Sequence, residues 1–230
     1  MPYGRDQMTD IAQDLARRGF AVWNLEYRRL GAHAGGWPGT FDDVIAGIEH
    51  LGRLVGRGID LDLQRVAVVG HSAGGHLALW VAAKRRHHEK SGATDRVQIR
   101  AAVGLAPLAD LVRAHELGVG GGAVAELLGG APADQPARYR EASPHAMVPL
   151  GVRQLIIHGS ADDVVPIEVA RGYIRAARAA GDRVELLELP RLGHMEYLDP
   201  SSAAHAALCD WLAGILGGPS PAHEAERSGA

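Results

Sequence analysis

The hydrophobic positions of this chain follow two periodicities. Short apolar runs, most of them bounded by glycine, proline or charge, alternate with longer stretches in which apolar residues recur every three or four positions. The short runs fit strands buried in a parallel sheet, and the longer stretches fit amphipathic helices. The five predicted strands are Phe20–Glu26, Arg65–Gly70, Ala101–Ala106, Gln154–Gly159 and Val184–Pro190.

The alternation of strands and helices predicts the fold class. Successive βα units connect parallel strands through helices, so we predict an α/β fold with an open, doubly wound, mostly parallel sheet and helices on both faces. The chain has 230 residues, of which 47% are hydrophobic, and this is enough for one sizeable core. Residues 1–216 are therefore expected to form a single domain.

Two segments depart from this regularity. Residues 106–149 are rich in glycine and proline and are too long for a simple connection, so we predict a lid-like insertion that forms a wall of the active site. Residues 217–230 lose all periodicity and are predicted to be a disordered tail.

Charge and cysteine content exclude several classes of partner. The net charge is −3 and there is no long basic run, which argues against a nucleic-acid partner. No stretch approaches the ~20 apolar residues of a membrane span, and we expect a cytoplasmic protein with no membrane partner.

Cys209 is the only cysteine, so intrachain disulfides and clusters of several thiolates are excluded, and we expect a packed, inert thiol. No metal or cofactor is expected.

The candidate nucleophile stands between a predicted strand and a predicted helix. Residues 68–77 contain Gly-x-Ser-x-Gly around Ser72, a weak signal alone that becomes specific at a strand-to-helix turn. We expect glycine at both Gly70 and Gly74 because a Cβ at either would strike the neighbouring strand and helix. The backbone N–H of Ala73 is the predicted oxyanion donor. The alternative is a glycine-rich turn that only packs a strand on a helix.

A candidate acid and base follow later strands. A serine hydroxyl needs a base, and that base needs a carboxylate to orient it. Asp162 and Asp163 follow the strand that ends at Gly159, and His194 follows the strand that ends at Pro190. Loops after parallel strands emerge at one edge of the sheet, so these side chains can converge on Ser72. Spacing alone does not separate Asp162 from Asp163. His158 is expected to support its turn.

Together these motifs resemble the α/β-hydrolase superfamily, in particular its compact esterase and kynurenine-formamidase-like branch. The resemblance covers most of the chain and implies a triad of Ser72, Asp162 and His194, with Asp162 favoured over Asp163. The matching stretches are GHSAGGHLA at Gly70–Ala78, YRR…GGWPGTFDD at Tyr27–Asp43, HGSADDVVP at His158–Pro166 and LGHMEYLDP at Leu192–Pro200.

One element of that family is missing. Its His-Gly-Gly-x-Trp loop, which supplies further oxyanion amides, and the strand before it would precede Phe20–Glu26, so the fold is expected to be N-terminally shortened. The similar stretch His33–Trp37 comes one βα unit too late and matches the family's ordinary GGWPGTF loop. Three explanations remain open: Phe20–Glu26 pairs directly with Arg65–Gly70, the protein begins upstream of Met1, or the chain is a degraded relative.

The resemblance implies a serine hydrolase that cleaves a small carboxylic ester through an acyl-enzyme. An aryl formamidase with an N-formylkynurenine-like substrate and a short-peptide hydrolase are alternatives. A different class of alternative is a non-catalytic or truncated relative of the fold. The expected partner is a small acyl substrate, and a homo-oligomer stays open. A dinucleotide-binding protein is disfavoured because no predicted strand runs into Gly-x-Gly-x-x-Gly.

Overall fold

The computed structural model describes residues 4–90 and 97–217. The predicted disordered tail lies outside these ranges except for Gly217. The helices and strands of the described residues are α1 (Thr9–Arg17), α2 (Gly39–Val55), β1 (Val66–His71), α3 (Ala73–Lys90), β2 (Ile99–Leu105), α4 (Leu111–Glu116), α5 (Ala123–Leu128), α6 (Pro136–Ala142), β3 (Arg153–Gly159), α7 (Ile167–Ala179), β4 (Val184–Leu189) and α8 (Ala203–Leu216). Short 3₁₀ turns occupy Arg5–Met8, Val119–Gly122, Pro144–Met147 and Glu196–Leu198.

Four strands form one parallel sheet in the order β1-β2-β3-β4. Val69 stands opposite Val103, and Val103 stands opposite Leu155, so neighbouring strands end at the same edge. Four of the five predicted strands are thus confirmed, with small shifts at their ends. The predicted α/β class is confirmed as well.

Helices cover both faces of the sheet, as predicted. On one face, α2, α3 and α7 bury large side chains such as Phe41, Trp80 and Tyr173. On the other face, α1 and α8 pack with Leu155 and Ile157 of β3. Successive strand residues point to opposite faces, so a nearly continuous apolar run serves both cores. Within the described ranges, no helix is both long enough and apolar enough to cross a membrane.

The fifth predicted strand is wrong. Residues 20–26 form no strand pairing and run as an irregular segment. Polar side chains anchor it instead: Asn24 Nδ2 donates to the Arg5 carbonyl at 3.0 Å, and the Arg5 N–H donates to Glu26 at 3.1 Å. Leu25 packs against Gly47 of α2, where a Cβ would lie 2.3 Å from the leucine. An apolar run becomes a strand only where a neighbour supplies backbone partners.

A cavity of about 790 Å³ separates this irregular segment from β1. Its lining includes Trp23 and Leu25 of the irregular segment, Ala67 and Val69 of β1, and Gly74 of α3. We call this space the β1 cavity. Residues 20–26 are not a strand and the sheet contains only β1 to β4 within the described ranges, so this segment does not slide over to pair with β1, and the first of the three explanations above is removed.

Residues 106–149 are a packed helical insertion. Its helices α4, α5 and α6 bury Leu111, Leu128 and Tyr139 in the core on the α3 face of the sheet. This packing gives the segment a hydrophobic reason to fold compactly. Its role as a wall of the active site stays a prediction.

Candidate active site

Ser72 occupies the sharp turn between β1 and α3. Its φ of +54° is uncommon for a residue with a side chain. Two backbone hydrogen bonds hold it there: the Ser72 N–H donates to Leu105 at 2.8 Å, and the His76 N–H donates to the Ser72 carbonyl at 3.0 Å. The β2 strand and the first turn of α3 therefore fix the serine at the carboxyl edge of the sheet.

The two glycines that flank this turn have different surroundings. A Cβ on Gly70 would lie 2.1 Å from the carbonyl oxygen of Gly74, so no side chain fits there. A Cβ on Gly74 would meet nothing within 4 Å, because Gly74 lines the β1 cavity. The prediction that both positions are closed to a side chain is correct for Gly70 and wrong for Gly74.

The structure brings Ser72, His194 and Asp162 into one chain of hydrogen bonds. His194 Nε2 lies 3.1 Å from Ser72 Oγ, and His194 Nδ1 lies 2.8 Å from Asp162 Oδ2. Asp163, the neighbouring candidate, is exposed to solvent. The carboxylate that contacts the imidazole is therefore that of Asp162.

The Asp162 carboxylate is held ionised by its hydrogen bonds. Its side chain is fully buried, and burial opposes ionisation, but Oδ2 contacts His194 while Oδ1 accepts the N–H groups of Val164 at 3.0 Å and Val165 at 2.8 Å. The hydrogen bonds outweigh the desolvation, so the pKa of Asp162 lies below its usual value. A negative charge here can orient the His194 ring and stabilise its protonated form.

His158 supports the turn that carries the carboxylate. It is fully buried, and its Nε2–H donates to the Val165 carbonyl at 2.8 Å. Burial lowers the pKa of His158, which favours the neutral ring. Its Nε2 is 3.7 Å from Asp162, beyond hydrogen-bond distance.

Two further residues hold the loop of His194, and the sequence analysis missed both. His71 Nε2–H donates to the His194 carbonyl at 2.7 Å, and the two rings lie 4.6 Å apart between centroids. Burial lowers the pKa of His71 to about 4, so this ring stays neutral near pH 7. Tyr197 is fully buried, and its hydroxyl accepts the N–H of Gly159. Their places inside GHSAGG and LGHMEYLDP were the available signals.

The predicted oxyanion donor is the N–H of Ala73. Ala73 is the first residue of α3, and the first N–H groups of a helix have no acceptor within the helix. In the stretch His33–Trp37, the N–H groups of Gly35, Gly36 and Trp37 are already bonded within the protein. Gly35 donates to Ala32 at 2.9 Å, Gly36 to Thr40 Oγ1 at 2.9 Å, and Trp37 to Leu127 at 2.7 Å.

Comparison with known proteins places this arrangement in a family. The BD-FAE family model matches residues 3–173, a range that includes Ser72 and Asp162. The chain belongs to the BD-FAE family. His194 lies beyond the matched range, so its position in this BD-FAE protein rests on the hydrogen bonds described above.

Several characterised proteins are similar to this BD-FAE chain. Esterase LipC of Mycobacterium tuberculosis is 43% identical over 61 residues, which are 26% of this chain and 15% of LipC. The acetyl ester-xyloside bifunctional hydrolase of Caldicellulosiruptor lactoaceticus aligns with 24% identity and a TM-score of 0.69, over 90% of this chain and 75% of that one. Carboxyl esterase 2 of Tuber melanosporum aligns with 17% identity and a TM-score of 0.71, over 93% and 74%.

The similarities to solved structures concern the fold. Together with the family match, they confirm the predicted resemblance to α/β-hydrolase esterases. The chain spans only a small part of LipC, the curated relative that it matches.

Proposed function

We propose that this BD-FAE protein is a serine hydrolase that cleaves small carboxylic esters through an acyl-enzyme intermediate. The observation that supports this most directly is the chain of hydrogen bonds from Ser72 through His194 to the buried carboxylate of Asp162. This is the arrangement that acyl transfer requires: a nucleophile, a base within reach, and an acid that orients the base. The family and its esterase relatives favour the same reaction.

In the first step, Ser72 Oγ attacks the ester carbonyl carbon while His194 Nε2 takes the hydroxyl proton. The N–H of Ala73 donates to the developing oxyanion, and Asp162 stabilises the imidazolium. When the tetrahedral intermediate collapses, the C–O bond to the alcohol breaks and His194 returns its proton to the leaving oxygen. The acyl group then remains on Ser72.

In the second step, water replaces the alcohol. His194 takes a proton from the water, whose oxygen attacks the acyl-enzyme carbonyl, and the proton then returns to Ser72 Oγ as the acid leaves. His71 holds the His194 backbone through both steps. Its low pKa keeps a second positive charge away from the imidazolium.

The oxyanion site favours reactive esters over amides. Ala73 is the one backbone donor that we assign to it, and loss of one donor costs roughly 10²–10³ in rate. Esters with good leaving groups develop less charge that must be stabilised before the bond breaks. We therefore place small esters ahead of formamides and peptides as substrates.

The test is hydrolysis of p-nitrophenyl acetate by the 230-residue chain and by its Ser72→Ala variant. We expect Ser72→Ala to lower the rate by at least about a thousandfold, because removal of a triad nucleophile abolishes the covalent route. Ser201→Ala makes the same chemical change at an exposed loop serine outside the site and is expected to keep the wild-type rate. Equal rates for Ser72→Ala and wild type would contradict the proposal.

The same assay separates the alternatives. A higher kcat/KM for N-formylkynurenine than for the acetate ester would favour the formamidase. A folded, monodisperse sample with no Ser72-dependent turnover of either compound would favour a non-catalytic relative of the fold.

A further inference from the structure

A second group of reactive side chains lies between α1 and α8, among the residues that pack against the sheet face opposite α3. Asp14 belongs to α1, while His205 and Cys209 stand four residues apart on one face of α8. His205 Nε2 is 2.7 Å from Asp14 Oδ2 and 3.3 Å from Cys209 Sγ. All three ligating atoms lie within 4.8 Å of one another.

The burial of this group makes it a defined site. His205 is 1% exposed and Cys209 is 4% exposed, while the Asp14 side chain retains 17% of its surface. Two of the three donors are thus fixed by packing, and the third opens toward solvent. A ligand could enter past the aspartate without unfolding either helix.

We propose that Asp14, His205 and Cys209 bind one zinc ion between α1 and α8. An oxygen, an imidazole nitrogen and a thiolate form a donor set that zinc favours, whereas calcium and magnesium take oxygen ligands. Water supplies the fourth ligand from the open side of Asp14.

The geometry requires only small movements. Tetrahedral zinc with ordinary bond lengths holds nitrogen and sulfur about 3.5 Å apart, and nitrogen and oxygen about 3.3 Å apart. The observed separations of 3.3 and 2.7 Å are shorter. A rotation of the Asp14 side chain, which is the most exposed of the three, can lengthen the nitrogen–oxygen separation, and the nitrogen–sulfur separation needs a shift of only about 0.2 Å.

Binding releases and moves protons in a defined way. Cys209 loses its thiol proton to solvent as the sulfur binds the metal. His205 changes tautomer, because Nε2 must lose its proton to bind the metal and Nδ1 then carries a proton instead. His205 Nδ1 is buried and has no hydrogen-bond partner among the described residues. The unpartnered N–H opposes binding, so we expect weaker affinity than that of a closed site with four protein ligands.

Arginine competes with the metal for the aspartate. Arg18 Nε lies 2.6 Å from Asp14 Oδ2, the same oxygen that contacts His205. The Arg18 side chain is 50% exposed, so it can leave the carboxylate for solvent at little cost. Removal of this competing cation is therefore expected to strengthen zinc binding.

The test is a titration of the intact, untagged chain with Zn²⁺ and with Co²⁺ after treatment with a chelator. We expect one bound ion per chain, a Co²⁺–thiolate charge-transfer absorption, and a rise in Tm on binding. Cys209→Ser, which preserves size, should abolish the charge-transfer absorption and weaken zinc binding at least tenfold. Arg18→Gln should strengthen it several-fold.

Controls make the result independent of the hydrolase assay. Ser72→Ala should bind zinc as wild type does, and His33→Gln, which removes an exposed histidine elsewhere, should also leave binding unchanged. Asp14→Asn provides a second ligand variant, with weaker binding expected if the site exists. Zinc binding that is insensitive to both Cys209→Ser and Asp14→Asn, or no binding at all, would overturn the proposal.

Discussion

Gly70 and Gly74 stand at equal distances from Ser72 in sequence, yet only one of them is closed to a side chain. At Gly70 the obstacle is backbone, since a Cβ would meet the Gly74 carbonyl oxygen at 2.1 Å. Backbone at this turn cannot yield without moving Ser72 itself. At Gly74 the space that a Cβ needs is part of the β1 cavity.

We therefore predict opposite effects for two identical substitutions. Gly70→Ala should lower the free energy of unfolding by more than about 3 kcal/mol, because the turn must distort. Gly74→Ala should leave it unchanged or raise it by up to about 1 kcal/mol, because alanine favours the first turn of α3 over glycine. Urea unfolding of both variants measures the difference. Equal losses of stability would show that Gly74 is also enclosed.

The candidate triad could be predicted at the residue scale because its order along the chain and its placement after parallel strands constrain it strongly. The choice between Asp162 and Asp163 could not be made from spacing. Adjacent residues in a turn point in different directions, and the N–H groups of Val164 and Val165 fix which one faces His194. His71 and Tyr197 lie inside two of the matching motifs, but they act through burial and contacts to backbone groups, so the motifs alone do not say what these residues do.

Strands depend on their neighbours in a way that helices do not. Each of the runs that form β1 to β4 pairs with a parallel neighbour, whereas residues 20–26 have a similar apolar character and pair with no strand in the part of the chain that the structure describes. A helix completes its hydrogen bonds within itself, so its pattern predicts it locally. A strand needs a partner that periodicity cannot identify, and for this reason the fifth strand was predicted wrongly.

The edge of β1 away from β2 pairs with no other strand of the described residues, and this gives a prediction for amide hydrogen exchange. The N–H groups of Val66 and Ser72 both point toward β2. Because the N–H groups of a strand alternate in direction, the N–H of Val68 also points toward β2, while those of Ala67 and Val69 point toward the β1 cavity. After correction for intrinsic rates, we expect the amides of Ala67 and Val69 to exchange at least about tenfold faster than that of Val68.

Strand β2 provides the control, because it pairs on both sides. Ala102 and Val103 should both be protected, with no alternation along the strand. Equal protection of Ala67, Val68 and Val69 would mean that a segment of the protein occupies the cavity and pairs with β1 in solution.

At the scale of the whole molecule, buried histidines couple the fold to pH. Burial lowers the pKa of His158, and it lowers the pKa values of His71 and His76 to about 4. Each ring is neutral in the folded protein and takes up a proton on unfolding once the pH falls below about 6.5. Stability is therefore lost as the pH falls from 6.5 toward 4. Paired carboxylates such as Asp43 and Asp162 have lowered pKa values and add to this loss only at more acidic pH.

His76 allows this coupling to be measured away from the proposed triad. It is 2% exposed on α3, and its Nε2–H donates to the Ala142 carbonyl at 2.8 Å. From its lowered pKa, we expect His76 to contribute about 2 kcal/mol to the loss of stability between pH 7 and pH 5. His76→Gln has a side-chain N–H that can replace this donor but no group that titrates in this range. Urea unfolding at pH 7 and at pH 5 should therefore show that His76→Gln loses about 2 kcal/mol less stability than wild type between the two pH values.

His76→Gln can be less stable than wild type at both pH values without affecting this test. Only the change in stability from pH 7 to pH 5 within each protein reports on protonation. His33→Gln serves as the matched control, since His33 is exposed and its replacement should leave the wild-type loss intact. If His76→Gln loses as much stability as wild type, the ring of His76 either binds its proton in the folded state at pH 5 or gains solvent there. In the second case, the insertion that supplies the Ala142 carbonyl opens before the sheet unfolds, because that carbonyl belongs to α6 and the ring to α3.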